Sequence, residues 1–167
     1  MAKHILNALV ENHAGILAKM AGLFARRGFN IDSLAVGITQ DPEISATTIV
    51  VDGDAATVEQ VQKQLSKLID VIEVKTLAPS CSVSRELSLT KVACTAKNRA
   101  EIMQIVDIFR ANIIDISDHA MIIELTGTGV KIDAFEEMIR PYHILEMSRT
   151  GMIAMLRSKA DSKSIED

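Results

Sequence analysis

The chain has 167 residues, 48% of them apolar and 24% charged, with a formal charge of −4. That is the balance of one globular domain or two small ones, and its acidity argues against nucleic acid as a partner, since a phosphate backbone needs a basic footprint. Aromatic residues are 3% of the chain and Trp is absent, which leaves little for base stacking and requires a core of Ile, Val, Leu, Met and Ala.

In chain order, residues 4–10 are aliphatic and strand-like, and Glu11-Asn12-His13-Ala14-Gly15 is a polar break ending in glycine. Ile16, Leu17, Met20, Leu23 and Phe24 then fall on one helical face. Arg26 and Arg27 place positive charge in that helix's last turn, where the dipole favours it, and Gly28 is suited to end it. Residues 30–39 read as a strand through the alternation of Leu34, Val36 and Ile38, and residues 40–43 as a turn. The β-branched run in 45–51 is a second strand, so the two form a hairpin. Asp54 can cap a helix marked by Val58, Val61, Leu65 and Leu68, and residues 71–77 form a last strand.

The order strand, helix, strand, strand, helix, strand is the ferredoxin-like, split βαβ arrangement. After a break at residues 78–82 it recurs. Residues 86–95 are strand-like, and 98–110 form a helix facing inward through Ile102, Ile105, Val106 and Phe109. Strands follow at 112–117 and 120–126, then a helix at 131–140 with Phe135, Met138 and Ile139 inward, and 144–156 closes the unit. An Asn-Ile pair opens the second strand in both halves, at Asn30-Ile31 and Asn112-Ile113. The expected class is therefore α+β, two tandem βαββαβ units, with 1–78 as the first domain, 79–84 as a linker, 85–157 as the second domain and 158–167 as a flexible tail.

Catalytic patterns are missing. His4, His13, His119 and His143 have no metal-ligand spacing, and neither a GxSxG elbow nor a phosphate-binding loop occurs. Gly127-Thr128-Gly129 is too short for a dinucleotide fingerprint and reads as a turn into a helix. Cys81 and Cys94 make neither a disulfide framework nor a CxxC pair, and are expected as reduced thiols. With no signal-peptide core and no apolar run near the roughly 20 residues of a membrane helix, the expectation is a cytoplasmic protein without a membrane partner.

The first strand–loop–helix junction is the informative place. A helix N-terminus presents unpaired N–H groups and favours an anion, such as the carboxylate of a small ligand. Gly15 lets a backbone approach closely, and Asn12 offers both donor and acceptor. Ile16, Leu17 and Ile31 supply apolar walls. Equally, Asn12 suits a plain helix cap and Gly15 a plain turn, and the residues alone do not choose.

The stretch Leu9-Val10-Glu11-Asn12-His13-Ala14-Gly15-Ile16-Leu17 resembles the opening of an ACT domain, an amino-acid-sensing module. Arg26-Arg27-Gly28-Phe29-Asn30-Ile31-Asp32-Ser33-Leu34 narrows the resemblance to the acetohydroxyacid (acetolactate) synthase small subunit. Gln64-Leu65-x-Lys67-Leu68-x-Asp70-Val71, Arg85-Glu86-Leu87, Phe109-Arg110-Ala111-Asn112-Ile113-Ile114-Asp115, Glu124-Leu125-Thr126-Gly127 with Lys131-x-Asp133-Ala134-Phe135, and Arg149-Thr150-Gly151 continue it in order, from about Lys3 to about Arg157.

The resemblance implies a non-catalytic regulatory subunit of branched-chain amino acid biosynthesis. It would carry no cofactor of its own and act on a catalytic large subunit that holds thiamine diphosphate, FAD and magnesium. It implies feedback inhibition by a branched-chain amino acid, valine first, bound between the ACT domains of a homodimer. Carried over residue by residue, Asn12, His13, Ala14, Gly15, Ile16 and Leu17 come from one side, and Asn30 and Ile31 from the other. Ala35 stands where the family usually has Thr, and His13-Ala14 replace more usual polar or acidic choices, which bears on effector preference. The readings set against it are a ligand-free scaffold subunit and a small ferredoxin-like enzyme. An amino-acid-responsive transcription regulator is disfavoured by the lack of a basic helix-turn-helix segment.

Overall fold

Alternation of apolar residues at the amino end sets the first sheet. In the computed structural model, which describes residues 2–158, β1 (Ala2–Glu11) leads to α1 (Ile16–Arg27), β2 (Ile31–Ile38), β3 (Ile44–Gly53), α2 (Ala55–Leu65) and β4 (Val71–Leu77). The strands form an antiparallel sheet in the order β2-β3-β1-β4. Leu6, Ala8 and Val10 of β1 share one face with Ile49 and Val51 of β3, and all five are fully buried or nearly so. Ile16, Met20, Leu23 and Phe24 of α1 and Val58, Val61 and Leu65 of α2 close that core. Helices of 12 and 11 residues are marginal alone, so this buried face holds them, at about 1.5–3 kcal/mol per large side chain.

Local signals set the end of α1 and the start of α2 where the sequence places them. Gly28 takes φ 68° and its N–H reaches Ala25 O, as a left-handed C-terminal glycine should. Asp54 caps α2, its carboxylate accepting the Thr57 N–H at 2.8 Å. Leu68 lies outside α2, contrary to the helical spacing, and packs on the core from the turn that follows.

The second unit repeats the order with β5 (Ser82–Ala93), α3 (Arg99–Phe109), β6 (Asn112–Ile116), β7 (Ala120–Gly127), α4 (Gly129–Ile139), a 3₁₀ turn (Arg140–Tyr142) and β8 (Ile144–Arg149), with strands ordered β6-β7-β5-β8. Its core gathers Val92, Ile102, Ile105, Val106, Met121, Ile123, Leu125, Ile132, Phe135 and Ile139. Phe109 meets Phe135 edge-on at 5.5 Å. Met138, expected inward, is exposed, because α4 buries the stripe Ile132, Phe135 and Ile139 instead.

Two features of the packing cross the expected boundaries. Residues 82–84, read as linker, already belong to β5, and Ser82 is buried with its hydroxyl donating to Ala78 O at 2.8 Å. Residues 152–158, read with the second domain, group in space with residues 2–84, while residues 85–151 form the other compact unit. The cause is β9 (Ile153–Leu156), which pairs with β5 and is bonded by side chains of β1, β2 and β3. Ser33 Oγ accepts the Met152 N–H at 3.1 Å, Thr48 Oγ1 accepts the Ala154 N–H at 3.3 Å, and Asn7 donates to Ala154 O at 3.3 Å. The tail expected at 158–167 lies, after Ser158, outside the described residues. No described helix is long and apolar enough to cross a membrane.

Candidate functional site

The loop between β1 and α1 is fixed at both ends by backbone bonds. Asn12 N–H donates to Glu43 O at 2.7 Å and its side-chain amide to Pro42 O at 2.8 Å, so the β2–β3 turn holds Asn12 in place. Asn12 therefore does not cap α1. The residue at the cap is Gly15, with φ 94° and no side-chain hydrogen bond to the helix. That φ favours glycine, and a Cβ built there meets nothing within 4 Å, so the space above the helix end is open. The first turn of α1 has no acidic residue while the last carries Arg26 and Arg27. Its N-terminal N–H groups thus lack an anionic side chain of their own.

The structure sorts the remaining sequence candidates. His13 and Ala14 are exposed on the loop. Ile16 is buried in the core and offers no wall to a ligand, whereas Leu17, expected on the same inward face, is 44% exposed beside the loop. Asn30 is exposed, its amide donating to Asp32 at 3.1 Å, and Ile31 is half-buried against the core. These two residues do not join the loop within one chain. Glu11 pairs with Ile44 at one end of β3, while Ile31 pairs with Val51 near the other. The seven-residue offset (51 − 44) corresponds to roughly 23 Å along a strand.

The edge strand β2 is the other exposed feature. Leu34 pairs with Ile49, and so points to the helix side of the sheet, yet Leu34, Val36 and Ile38 are 41%, 43% and 66% exposed. An apolar stripe on an unpaired edge is a ready surface for another strand.

A cluster around His13 escaped the sequence reading. Its Nε2 lies 3.0 Å from Asp70 Oδ1 and 3.5 Å from Glu11 Oε2, and its Nδ1 lies 3.1 Å from Ala14 O. The Lys19 ammonium sits 2.6 Å from Asp70 Oδ2. Asp70 is separated from the loop by 57 residues and arrives through β1–β4 pairing, with Glu11 N–H donating to Asp70 O at 2.9 Å; it stands in the family motif, but no local spacing places it beside His13. Lys19 first, and then His13, holds the Asp70 carboxyl below its usual range. The Ala14 carbonyl first, and Asp70 second, raises His13 above its ordinary value. Three potential ligand atoms from Glu11, His13 and Asp70 lie within 4.8 Å of one another, but Lys19 already supplies the countercharge of Asp70, so the group is an ion-pair network.

In the second unit Arg149 bridges three acids. Its guanidinium donates to Glu86 at 2.7 Å and Asp133 at 2.8 Å and lies 3.5 Å from Glu136, tying β5, β8 and α4 together. Cys81 is exposed and Cys94 buried, and both are free thiols.

Comparison with known proteins gives two adjoining matches. Residues 6–73 match the acetohydroxyacid synthase small-subunit-like ACT domain, and residues 85–158 match the small subunit of acetolactate synthase. A probable acetolactate synthase small subunit of Archaeoglobus fulgidus is 51% identical over 93% of this chain and 97% of its own length. One from Methanothermobacter thermautotrophicus is 49% identical over 92% of each. The crystal structure of the acetolactate synthase small subunit of Thermotoga maritima superimposes with a TM-score of 0.89 at 42% identity, covering 94% of this chain and 98% of that one.

Proposed function

This chain belongs to the acetolactate synthase small-subunit family, and from that premise we propose that it is a non-catalytic regulatory subunit that binds valine or a related branched-chain amino acid. Loop 12–15 of one chain takes the amino acid's carboxylate, with Leu17 beside it, and Asn30 and Ile31 of a second copy complete the site. Bound effector then sets the activity of a catalytic subunit in the cytoplasm, and that subunit carries the thiamine diphosphate, FAD and magnesium.

The observation that carries this reading is the helix end at Gly15, open, glycine-built and without an acidic residue in its first turn. Two further features support it. The roughly 23 Å between the two groups of site residues within one chain favours a site shared with a second copy, and the apolar edge of β2 offers a place for it. The mechanism is linkage: an amino acid that binds one arrangement of the dimer better shifts the population toward it. It alters the catalytic subunit by no more than that difference in binding energy.

Thermal unfolding with and without millimolar valine tests the proposal. A ligand at 100 times its Kd adds about 2.7 kcal/mol, a rise of several degrees in Tm for a chain of this size. A rise with valine and none with lysine is expected. No rise with valine, leucine or isoleucine, for the chain alone and for its complex with the catalytic subunit, would refute it.

A further inference from the structure

His13 sits inside the proposed effector loop with both ring nitrogens facing acceptors. Nδ1 is 3.1 Å from the Ala14 carbonyl oxygen, and Nε2 is 3.0 Å from Asp70 Oδ1 with Glu11 Oε2 at 3.5 Å. Carbonyl and ionised carboxylate oxygens only accept, and a neutral imidazole has a single N–H. A neutral ring therefore turns one nitrogen lone pair onto an oxygen lone pair, whereas an imidazolium satisfies both sides. The contacts are those of the charged ring.

The anchor is buried and held from two sides, and the ring is the exposed arm. The Asp70 side chain is only 9% exposed, Lys19 of α1 holds its second oxygen at 2.6 Å, and its carbonyl accepts the Glu11 N–H. The His13 side chain is 43% exposed and belongs to the loop. Its Nδ1 contact fixes the Ala14 carbonyl, one half of the peptide that joins Ala14 to Gly15 at the opening of α1. Charged groups facing His13 are Glu11 on β1, Lys19 on α1 and Asp70 before β4. The two acids favour the imidazolium and Lys19 opposes it.

We propose that His13 is a positioning residue for the effector, and that its protonation, by clamping loop 12–15 to Asp70, makes the amino acid bind more tightly in mildly acidic than in mildly basic solution. This rests on the loop being the effector site. Two effects act in the same direction: the clamp presets the Ala14–Gly15 peptide, and the imidazolium adds positive charge beside an incoming carboxylate. The sign follows from a His pKa raised above 6.5. The clamp is complete below that value and is lost as pH rises through the raised one.

Calorimetric titration of the full chain with valine at pH 6.0 and pH 8.5 tests it, alongside His13→Gln, which keeps an uncharged donor toward Asp70. A fall of about tenfold in wild-type affinity across that interval, equivalent to one pKa unit of coupling, is expected, with a flat response in His13→Gln. Because valine's own titration affects both proteins equally, the difference between them isolates His13. A second reading by NMR follows the His13 ring itself, whose pKa should lie above 6.5 and drop in Asp70→Asn. Equal wild-type affinity at both pH values, the same fall in His13→Gln, or a ring pKa at or below 6.5 each overturns the proposal while leaving the effector site standing. Absence of valine binding at every pH overturns both.

Discussion

Substitution of Gly15 separates backbone cost from ligand chemistry. The residue has φ 94° and no atom within 4 Å of a built Cβ, so a side chain meets strain and no clash. Left-handed backbone costs a non-glycine residue about 1–2 kcal/mol. Ala pays this in full, whereas an Asp carboxylate at a helix N-terminus regains about 0.3–1 kcal/mol from the dipole. Gly15→Asp should therefore be no less stable than Gly15→Ala, and both should melt a few degrees below wild type. Binding should diverge. Two carboxylates about 4 Å apart repel by about 4 kcal/mol at an effective dielectric of 20, roughly a thousandfold in affinity. Calorimetry with valine at pH 7, paired with thermal melts, should find Ala within about tenfold of wild type by the same backbone estimate and Asp without measurable binding. An Asp variant that binds valine as well as the Ala variant would place the carboxylate elsewhere. One far less stable than Ala would show that the helix end is not open.

Arg149→Met should destabilise the second unit by about 2–4 kcal/mol, because it strands the nearly buried Glu86 without its cation; urea unfolding checks this, and a loss under about 0.5 kcal/mol, the surface-substitution range, would mean solvent already screens the cluster. Val36→Lys on the apolar β2 edge should turn the proposed dimer into a monomer by light scattering after gel filtration, since lysine blunts an edge strand; an unchanged mass would move the interface elsewhere. Asp70→Asn removes two pH-dependent contributions of opposite sign. Asp70, held below its ordinary 3.8 by Lys19 and His13, stabilises above that value and loses its contribution as pH falls through the lowered one. His13, held above 6.5, stabilises below that value and loses its contribution as pH rises through the raised one. The Tm difference between wild type and Asp70→Asn should thus peak between about pH 4 and 6.5; a difference flat from pH 3 to 9 would show the network to be energetically idle.

The element order was legible because its signals are local. Alternation in β1, helical spacing in α1 and α2, the Gly28 terminus and the Asp54 cap each depend on neighbours a few residues apart. What depends on distant partners was not. The end of α3 takes left-handed geometry at Arg110, φ 52°, where α1 uses glycine, and a long side chain announces no such turn. In β5 the buried positions include Ser88 and Thr90 while Leu89 is exposed, so composition misleads about which face is the core. The return of β9 rests on bonds across more than a hundred residues to Ser33, Thr48 and Asn7. The candidate site divides the same way. Gly15 and the free helix end were readable, but the burial of Ile16 follows from sheet packing, and Asp70 reaches His13 only through strand pairing.

The second unit has the same element order without the same loop, and that difference limits where an effector can act. Before α3, Asn98 Oδ1 accepts the Thr95 N–H at 2.7 Å and its amide donates to Ala93 O at 3.3 Å, so the loop's polar groups bind one another. Glu101 already stands in the first turn of α3, with Tyr142 donating to it at 3.2 Å. A carboxylate arriving there meets a carboxylate already in place, which costs energy instead of releasing it. At α1 the corresponding turn has no acid, Gly15 has no side chain, and Asn12 is turned toward Pro42 and away from the cap. The two helix ends therefore differ in what their first turns offer an anionic ligand although their element order is the same. The proposed effector site rests on features of the first unit's helix end, the ones that residues 12–15 leave unoccupied.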